Sequence, residues 1–489
     1  MSLSVESMLQ LSIVLPIVAT AGIVAAGRMP NLREAISIVT GLILFYFVTR
    51  LYQGLEQGQV IAVQWWQIVP GLELSFAVEP LGMLFALVAS FLWIVTTIYA
   101  IGYMRGHDEQ NQTRFYTCFA IAIGSAMGIA FAANLFTLFI FYEVLTLSTY
   151  PLVTHAGTPE AKKGGRIYLG ILLSTSIAFF LLAVISTWFV TGTLDFKPGG
   201  VFGSDVNKLV AGTILVLFIF GIGKAAILPF HRWLPAAMVA PTPVSALLHA
   251  VAVVKAGVFT VMKVCVFVFG IDVLSTLPST QFLLYLAGAS VLLASLVAMR
   301  QDNLKARLAY STVSQLGYVT VGALLATSAG VIGGSMHIAM HAFGKITLFF
   351  CAGAILVAAH KSNISEMRGL GKQMPITMAA FFIASLGIIG VPPAGGTWSK
   401  WFLLMGTLEA EQWILMAILM ISSLMNIAYL LPISFHAFFS GDKTPYSRAA
   451  IKEAPTASLV ALCITTVGCL VLFVYPQPLY ELARAILAA

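Results

Sequence analysis

Charge is scarce in this sequence. Only 9% of its 489 residues are Asp, Glu, Lys or Arg, against about 25% in a soluble domain, which excludes an ordinary soluble globular fold. Acids are fewer than bases, 19 against 26, giving a net charge of +7. The basic residues stand singly among apolar runs and form no stripe, so the excess reads as loop charge and not as a nucleic-acid surface. The five cysteines, Cys118, Cys265, Cys351, Cys463 and Cys469, form no CxxC and stand near no histidine cluster at zinc spacing; they read as small apolar packing residues. A serine elbow, a phosphate loop and a GxGxxG turn are all missing. Nothing therefore predicts a cofactor, a resident metal or catalytic chemistry of the chain's own, although a place in a redox-driven translocase stays open. The start, MSLSVESMLQLSIVLPIVATAGIVAAG, lacks a basic region before its apolar run and reads as a first span, not a cleaved signal peptide.

What is abundant is apolar length, with 59% of residues hydrophobic. A span needs about 20 largely apolar residues. Fourteen stretches qualify, near 7–26, 34–53, 80–103, 114–133, 134–154, 166–190, 209–229, 242–268, 282–299, 307–328, 331–358, 376–404, 412–438 and 456–476. The mixed stretch 57–79 is expected on the outer surface. The fold class predicted is an all-α polytopic membrane protein. Positive charge collects in cytoplasmic loops. With the N-terminus outside, seventeen basic residues, Lys443, Arg448 and Lys452 among them, fall in inside loops and four outside. The expected setting is a bacterial inner membrane with both termini on the outer side.

The remaining five basic residues, Lys224, Lys255, Lys263, Lys345 and Lys400, lie within spans. A lysine in hydrocarbon is costly and marks an ion or proton path by default. Among acids, Glu143 alone sits deep in a span and Glu79 lies at a span's edge. One buried acid among five buried lysines implies that some lysines are neutral part of the time, as a proton carrier requires. Two spans carry helix-breaking sequence at matching places: GIGKAAILPFHRWLP around Lys224, and GIIGVPPAGGTWSKWFLL before Lys400. Interrupted helices in corresponding positions point to inverted repeats, here spans 4–8 and 9–13. The chain then divides into N-terminal helices 1–110, a first repeat 111–270, a second repeat 280–440 and a C-terminal helix 441–489.

Glu143 and Lys224 make a candidate pair in which the carboxylate sets the lysine's proton affinity. His231 follows Lys224 by seven positions, on the same face only if the helix continues through Pro229; a surface histidine beside Arg232 fits equally well. His249 and Lys255 share the eighth span but lie about 120° apart on an ideal helix, so a direct relay needs a bend or water. Lys263 is expected to snorkel to the outer surface. His337, His341 and Lys345 follow one another at i, i+4 and i+8, one stripe about 12 Å long. Histidine can take a proton on one ring nitrogen and release it from the other. Lys400 reads as the terminal group of the second half.

The segments FYEVLTLSTYPLV around Glu143, GKAAILPFHRWLPAAMVAPTPVSALLHAVAVVKAG from Lys224, HIAMHAFGKITLFFCAG from His337 and GVPPAGGTWSKWFLL up to Lys400 together resemble the antiporter-like subunits of complex I, Mrp-type multisubunit cation/proton antiporters and energy-converting membrane hydrogenases. The resemblance covers roughly residues 80–440. It implies fourteen helices in two inverted repeats and a midplane row of titratable groups, with Glu143 and Lys224 coupled, Lys255 central, His337 and His341 linking and Lys400 terminal. It also implies other membrane subunits as partners and protons, with sodium or potassium as possible counter-ions, as cargo. The alternative it leaves open is a proton-conducting membrane partner that energises a large soluble enzyme subunit, such as one hydrating CO2 for inorganic-carbon uptake.

Overall fold

The computed structural model describes residues 3–203, 205–440 and 451–488; Lys443 and Arg448 of the predicted inside loop lie outside them. The elements run α1 Val5–Ala25, α2 Pro30–Glu56, β1 Ala62–Val69, β2 Leu72–Ala77, α3 Pro80–Gly106, α4 Gln112–Ala130 and α5 Leu135–Val153. Next come α6 Pro159–Thr191, α7 Lys208–Gly221 and α8 Thr242–Phe269, then α9 Pro278–Arg300, α10 Leu304–Leu324 and α11 Ser328–Ala359. The chain closes with α12 Pro375–Ile389, α13 Gly396–Glu409, α14 Trp413–Phe439, α15 Thr456–Val474 and α16 Gln477–Ala485. Among the described residues eleven helices are long and apolar enough to cross a membrane, and α7 and α12 are shorter apolar helices. The protein is a polytopic all-α membrane protein, as its composition predicts.

In lipid every backbone polar group must be satisfied inside the protein, which is why the spans are helices. The most apolar-all-round helix lies at the centre. That helix is α8, buried throughout its span, whereas α6, α14 and α15 keep most of their surface outward. The long α11 packs on α10, α12, α13 and α15. Its glycines permit close approach: a Cβ at Gly333 would stand 2.6 Å from the Leu403 backbone nitrogen of α13.

Three features depart from the sequence reading. The stretch 57–79 contains an antiparallel hairpin, Ala62 opposite Ala77, which turns at Gly71 with φ +82°. Its β2 strand is held by Asn134, whose amide donates to the Glu73 carbonyl and Ser75 Oγ, both at 2.9 Å. Second, Lys263 does not snorkel. It is 1% exposed, its Nζ lies 3.0 Å from Glu79 Oε1 and it donates to the Ala132 carbonyl at 2.8 Å. Glu79 caps α3 and so brings a carboxylate to the end of α8, which local spacing does not reveal. Third, Glu143 is not the sole interior acid. Glu34 in the first turns of α2 is buried between Arg105 and Arg33, with Arg33 Nη2 at 3.4 Å.

Arg33 also donates to Gln112 at 2.8 Å and lies over the Tyr116 ring, so this cluster ties α2 to α3 and α4. Removing one member of a buried pair strands the other charge, at about 3 kcal/mol or more. Glu34→Ala is therefore expected to lower the thermal unfolding midpoint of the detergent-solubilised protein by several degrees. Arg105→Ala should cost less, since that side chain is 44% exposed; equal midpoints for both variants would contradict the ranking.

Candidate functional site

Both broken spans unwind where the sequence predicts. After α7 the backbone makes a tight turn at Gly223–Ala225, passes through Ala226 with φ +53°, and turns again at Phe230–Arg232. After α12 it leaves the helix at Gly390 with φ +88° and resumes at Gly396. A helix end leaves carbonyls without intrahelical partners; the second break places one, that of Ile389, beside Lys400, whereas the first places Lys224 itself in the unwound turn.

Lys224 is fully buried. Its Nζ donates to the Tyr142 carbonyl at 2.8 Å and to Thr146 Oγ1 at 2.6 Å, and sits 3.1 Å from the centre of the Tyr142 ring. Its backbone N–H donates to the Tyr142 hydroxyl at 3.1 Å. The Trp233 indole fixes the turn by donating to the Gly223 carbonyl at 2.9 Å. The expected Glu143–Lys224 contact is not made. Lys224 is held by the 142/146 face of α5, and Glu143 projects about 100° further round that helix. Both Glu143 carboxylate oxygens are buried without a hydrogen-bond partner, and no ion pair joins them to Lys224 among the described residues.

The second group is continuous. Lys255 Nζ lies 2.5 Å from His341 Nδ1, across the α8/α11 interface. The His341 ring stacks on His337 with centroids 5.8 Å apart. His337 Nδ1 lies 2.8 Å from Ser399 Oγ and its Nε2 lies 3.1 Å from Gln315 Oε1. The Tyr318 ring stacks on His337 at 5.7 Å and carries Lys400 Nζ over it at 4.5 Å. Lys400 Nζ donates to the Ile389 carbonyl, the last residue of α12, at 3.1 Å and to Ser423 Oγ at 2.9 Å. A cavity of about 320 Å³ reaches Lys400 and Ser423 between Gly390, Trp401 and Ile427.

Lys345 belongs to the stripe by sequence but turns elsewhere, donating to Ser311 Oγ at 2.6 Å and the Leu308 carbonyl at 3.3 Å. His249 lies in a widened turn at Leu247–Val251, just before a kink at Ala252 with φ −116°. Its two ring nitrogens have no hydrogen-bond partner and the ring packs on Phe349 at 4.7 Å. That widened turn inside the predicted span 242–268 is a feature the sequence reading lacks; such bulges interrupt helices at functional sites. His231 sits on the half-exposed turn beyond the first break and makes no hydrogen bond to the lysines or histidines of the two groups. Tyr142, Thr146, Gln315, Tyr318, Ser399 and Ser423 escaped the sequence reading. The signal was available for Gln315 and Tyr318, since AYSTVSQLGYVTVG is unusually polar for a span.

Comparison with known proteins follows the same outline. The profile described as "NADH:quinone oxidoreductase/Mrp antiporter, TM" matches residues 132–426, and that of the complex I chain 5 N-terminus matches 65–116. The chain is similar to NADH-quinone oxidoreductase subunit N of Desulforudis audaxviator, 32% identical over 85% of this chain and 84% of that one. It is also similar to a probable K(+)/H(+) antiporter subunit of Rhizobium meliloti, 33% identical over 81% of this chain and 39% of that one. The chain spans about half the length of the NAD(P)H-quinone oxidoreductase subunit 5 relatives it matches. Among solved structures it resembles a chain of an archaeal membrane-bound sulfane sulfur reductase, with TM-score 0.86, 25% identity and 98% and 97% of the two chains covered.

The Lys224 turn also depends on Gly257 of α8, where a Cβ would stand 2.3 Å from the Lys224 carbonyl carbon. Gly257→Ala must push the two backbones apart, and overpacking of this kind costs about 1–3 kcal/mol. The variant is expected to melt several degrees lower and to carry protons at less than a tenth of the normal rate in vesicles. An unchanged melting point would refute the close approach.

Proposed function

Because the chain belongs to the NADH:quinone oxidoreductase/Mrp antiporter transmembrane family and is a proton-translocating membrane subunit, we propose that its protons run along a midplane row from the Glu143 and Lys224 end, past Lys255, His341 and His337, to Lys400. The observation that carries this reading is the run of contacts from Lys255 to His341, from His341 by ring stacking to His337, and from His337 to the Tyr318 ring over which Lys400 lies. Lysine and histidine both hold or release a proton without leaving the helix, and a histidine passes one from ring nitrogen to ring nitrogen.

The Lys255 ammonium donates to His341 Nδ1, whose other nitrogen, Nε2, has no hydrogen-bond partner. A proton taken at Nδ1 is released from Nε2 towards the stacked His337. His337 stands between Gln315 at Nε2 and Ser399 at Nδ1, so both ring nitrogens have a polar neighbour and a proton can cross the ring. Ser399 adjoins Lys400, and the cavity beside Lys400 provides its exchange with the surroundings. Lys345 and His249 flank the row and shape its field; His231 lies off it. Sodium and potassium are stripped of water by several oxygen ligands, whereas the row offers mostly nitrogen donors, so this chain moves protons and any cation exchange belongs to a neighbour.

Family members act as subunits of multisubunit membrane complexes, and neighbouring membrane subunits are this chain's partners too. We place it in a bacterial inner membrane with both termini outside, in agreement with its basic loops. Residues 111–270 and 280–440 form the two repeat units, flanked by helices 1–110 and by 441–489.

Proton flux into vesicles containing the purified complex tests the row. Lys224→Ala, Lys255→Ala and Lys400→Ala should each abolish flux without loss of assembly, and His341→Ala should slow it at least tenfold. His231→Ala should have less than twofold effect. Normal flux in either Lys255→Ala or Lys400→Ala removes the proposal.

A further inference from the structure

A cleft of about 610 Å³ lies against α6 beside the Phe230–Arg232 turn, and Arg166, Ile167, Gly170, Ile171, Arg232 and Tyr310 line it. Arg166 and Arg232 are exposed and make no hydrogen bond or ion pair among the described residues. Two guanidinium groups lining one cleft beside an apolar wall put two positive charges within reach of a single amphipathic ligand. The α6 segment that brings Arg166 begins with the polar, largely exposed run PEAKKGG, so the arginines stand at headgroup level while Ile167 and Ile171 continue into the apolar layer. Gly170 keeps the wall open, for a Cβ there would meet nothing within 4 Å. Tyr310 is of the aromatic type that settles at the membrane interface.

We propose that this cleft binds an anionic phospholipid, its phosphate held between Arg166 and Arg232 and one acyl chain lying along Ile167, Gly170 and Ile171. Guanidinium matches phosphate oxygens in a two-pronged fashion, and basic pockets between membrane helices on the positively charged side select anionic headgroups. The site has a consequence for the proton row. Arg232 directly precedes Trp233, whose indole pins the Gly223 carbonyl next to Lys224 at 2.9 Å. A lipid that fixes Arg232 therefore steadies the chain returning from the first helix break.

Native mass spectrometry of the full chain in detergent, titrated with phosphatidylglycerol or with phosphatidylethanolamine, tests this directly. The wild type should retain phosphatidylglycerol in preference to phosphatidylethanolamine. Arg166→Ala with Arg232→Ala should weaken that retention about thirtyfold, two charges at about 1 kcal/mol each and 1.4 kcal/mol per tenfold. Gly170→Leu, which keeps both charges and fills open space, should weaken it as well and decides the matter if the double variant does not fold. Equal retention of the two lipids, undiminished phosphatidylglycerol binding in the variants, or its displacement by millimolar inorganic phosphate would overturn the proposal, the last by revealing a site for a free anion.

Discussion

A lysine can stand in the middle of a membrane protein only where something replaces its water. In this chain the replacement is the same small set of groups used repeatedly: one backbone carbonyl and one hydroxyl. Lys224 has the Tyr142 carbonyl and Thr146, Lys345 has the Leu308 carbonyl and Ser311, and Lys400 has the Ile389 carbonyl and Ser423. Among the described residues, none of the three is neutralised by a carboxylate within ion-pairing distance. Neutral acceptors of this kind solvate an ammonium without binding its proton permanently. A carboxylate at each lysine would have made static ion pairs, and Lys263 with Glu79 displays that other outcome within the same chain.

Lys255 is the exception, and the exception defines its role. Its partner is the ring nitrogen of His341, a group that can itself take up the proton. It stands on α8, the helix buried along its full span, and reaches α11, the helix that carries both histidines. The two halves of the protein thus meet at a bond between two bases, where a single proton can belong to either side. The widened turn and kink interrupt α8 between His249 and Lys255, and the two side chains make no hydrogen bond to each other.

The sequence made the breaks legible because proline and glycine are clustered there: Pro392, Pro393, Gly395 and Gly396 stand within five residues and Pro229 follows Lys224 closely, whereas the single prolines Pro16, Pro151 and Pro432 leave their helices continuous. The stacking of His337 on His341 was legible for a related reason, since i and i+4 share a face in any helix. Partners from distant helices were not legible. Glu79 reaches Lys263 from 184 positions away, and nothing in the spacing around Lys263 predicts that a carboxylate replaces the aqueous surface. Glu143 and Lys224 fail as a direct pair for the converse reason: residue type suggested attraction, but the neighbouring Tyr142 and Thr146 face occupies the ammonium first. The hairpin at 62–77 escaped although β2 alternates apolar and polar residues and packs Phe76 on the core, because β1 reads AVQWWQIV with two adjacent tryptophans and no clear period of two.

Between Lys224 and Lys255 no hydrogen bond spans the two groups among the described residues, yet their backbones are in contact where Gly257 abuts the Lys224 peptide. The unwound turn carries Lys224 without a rigid helix on its C-terminal side. That turn abuts α8 at Gly257, two residues beyond Lys255. Backbone contact at Gly257 and the side-chain hydrogen bond from Lys255 to His341 are two different kinds of link, the first able to transmit a shift of position and the second a proton. Among the described residues the carboxylate of Glu143 is buried without a hydrogen-bond partner, on the helix that holds Lys224, so an acid stripped of its water lies one residue from the carbonyl that solvates the ammonium.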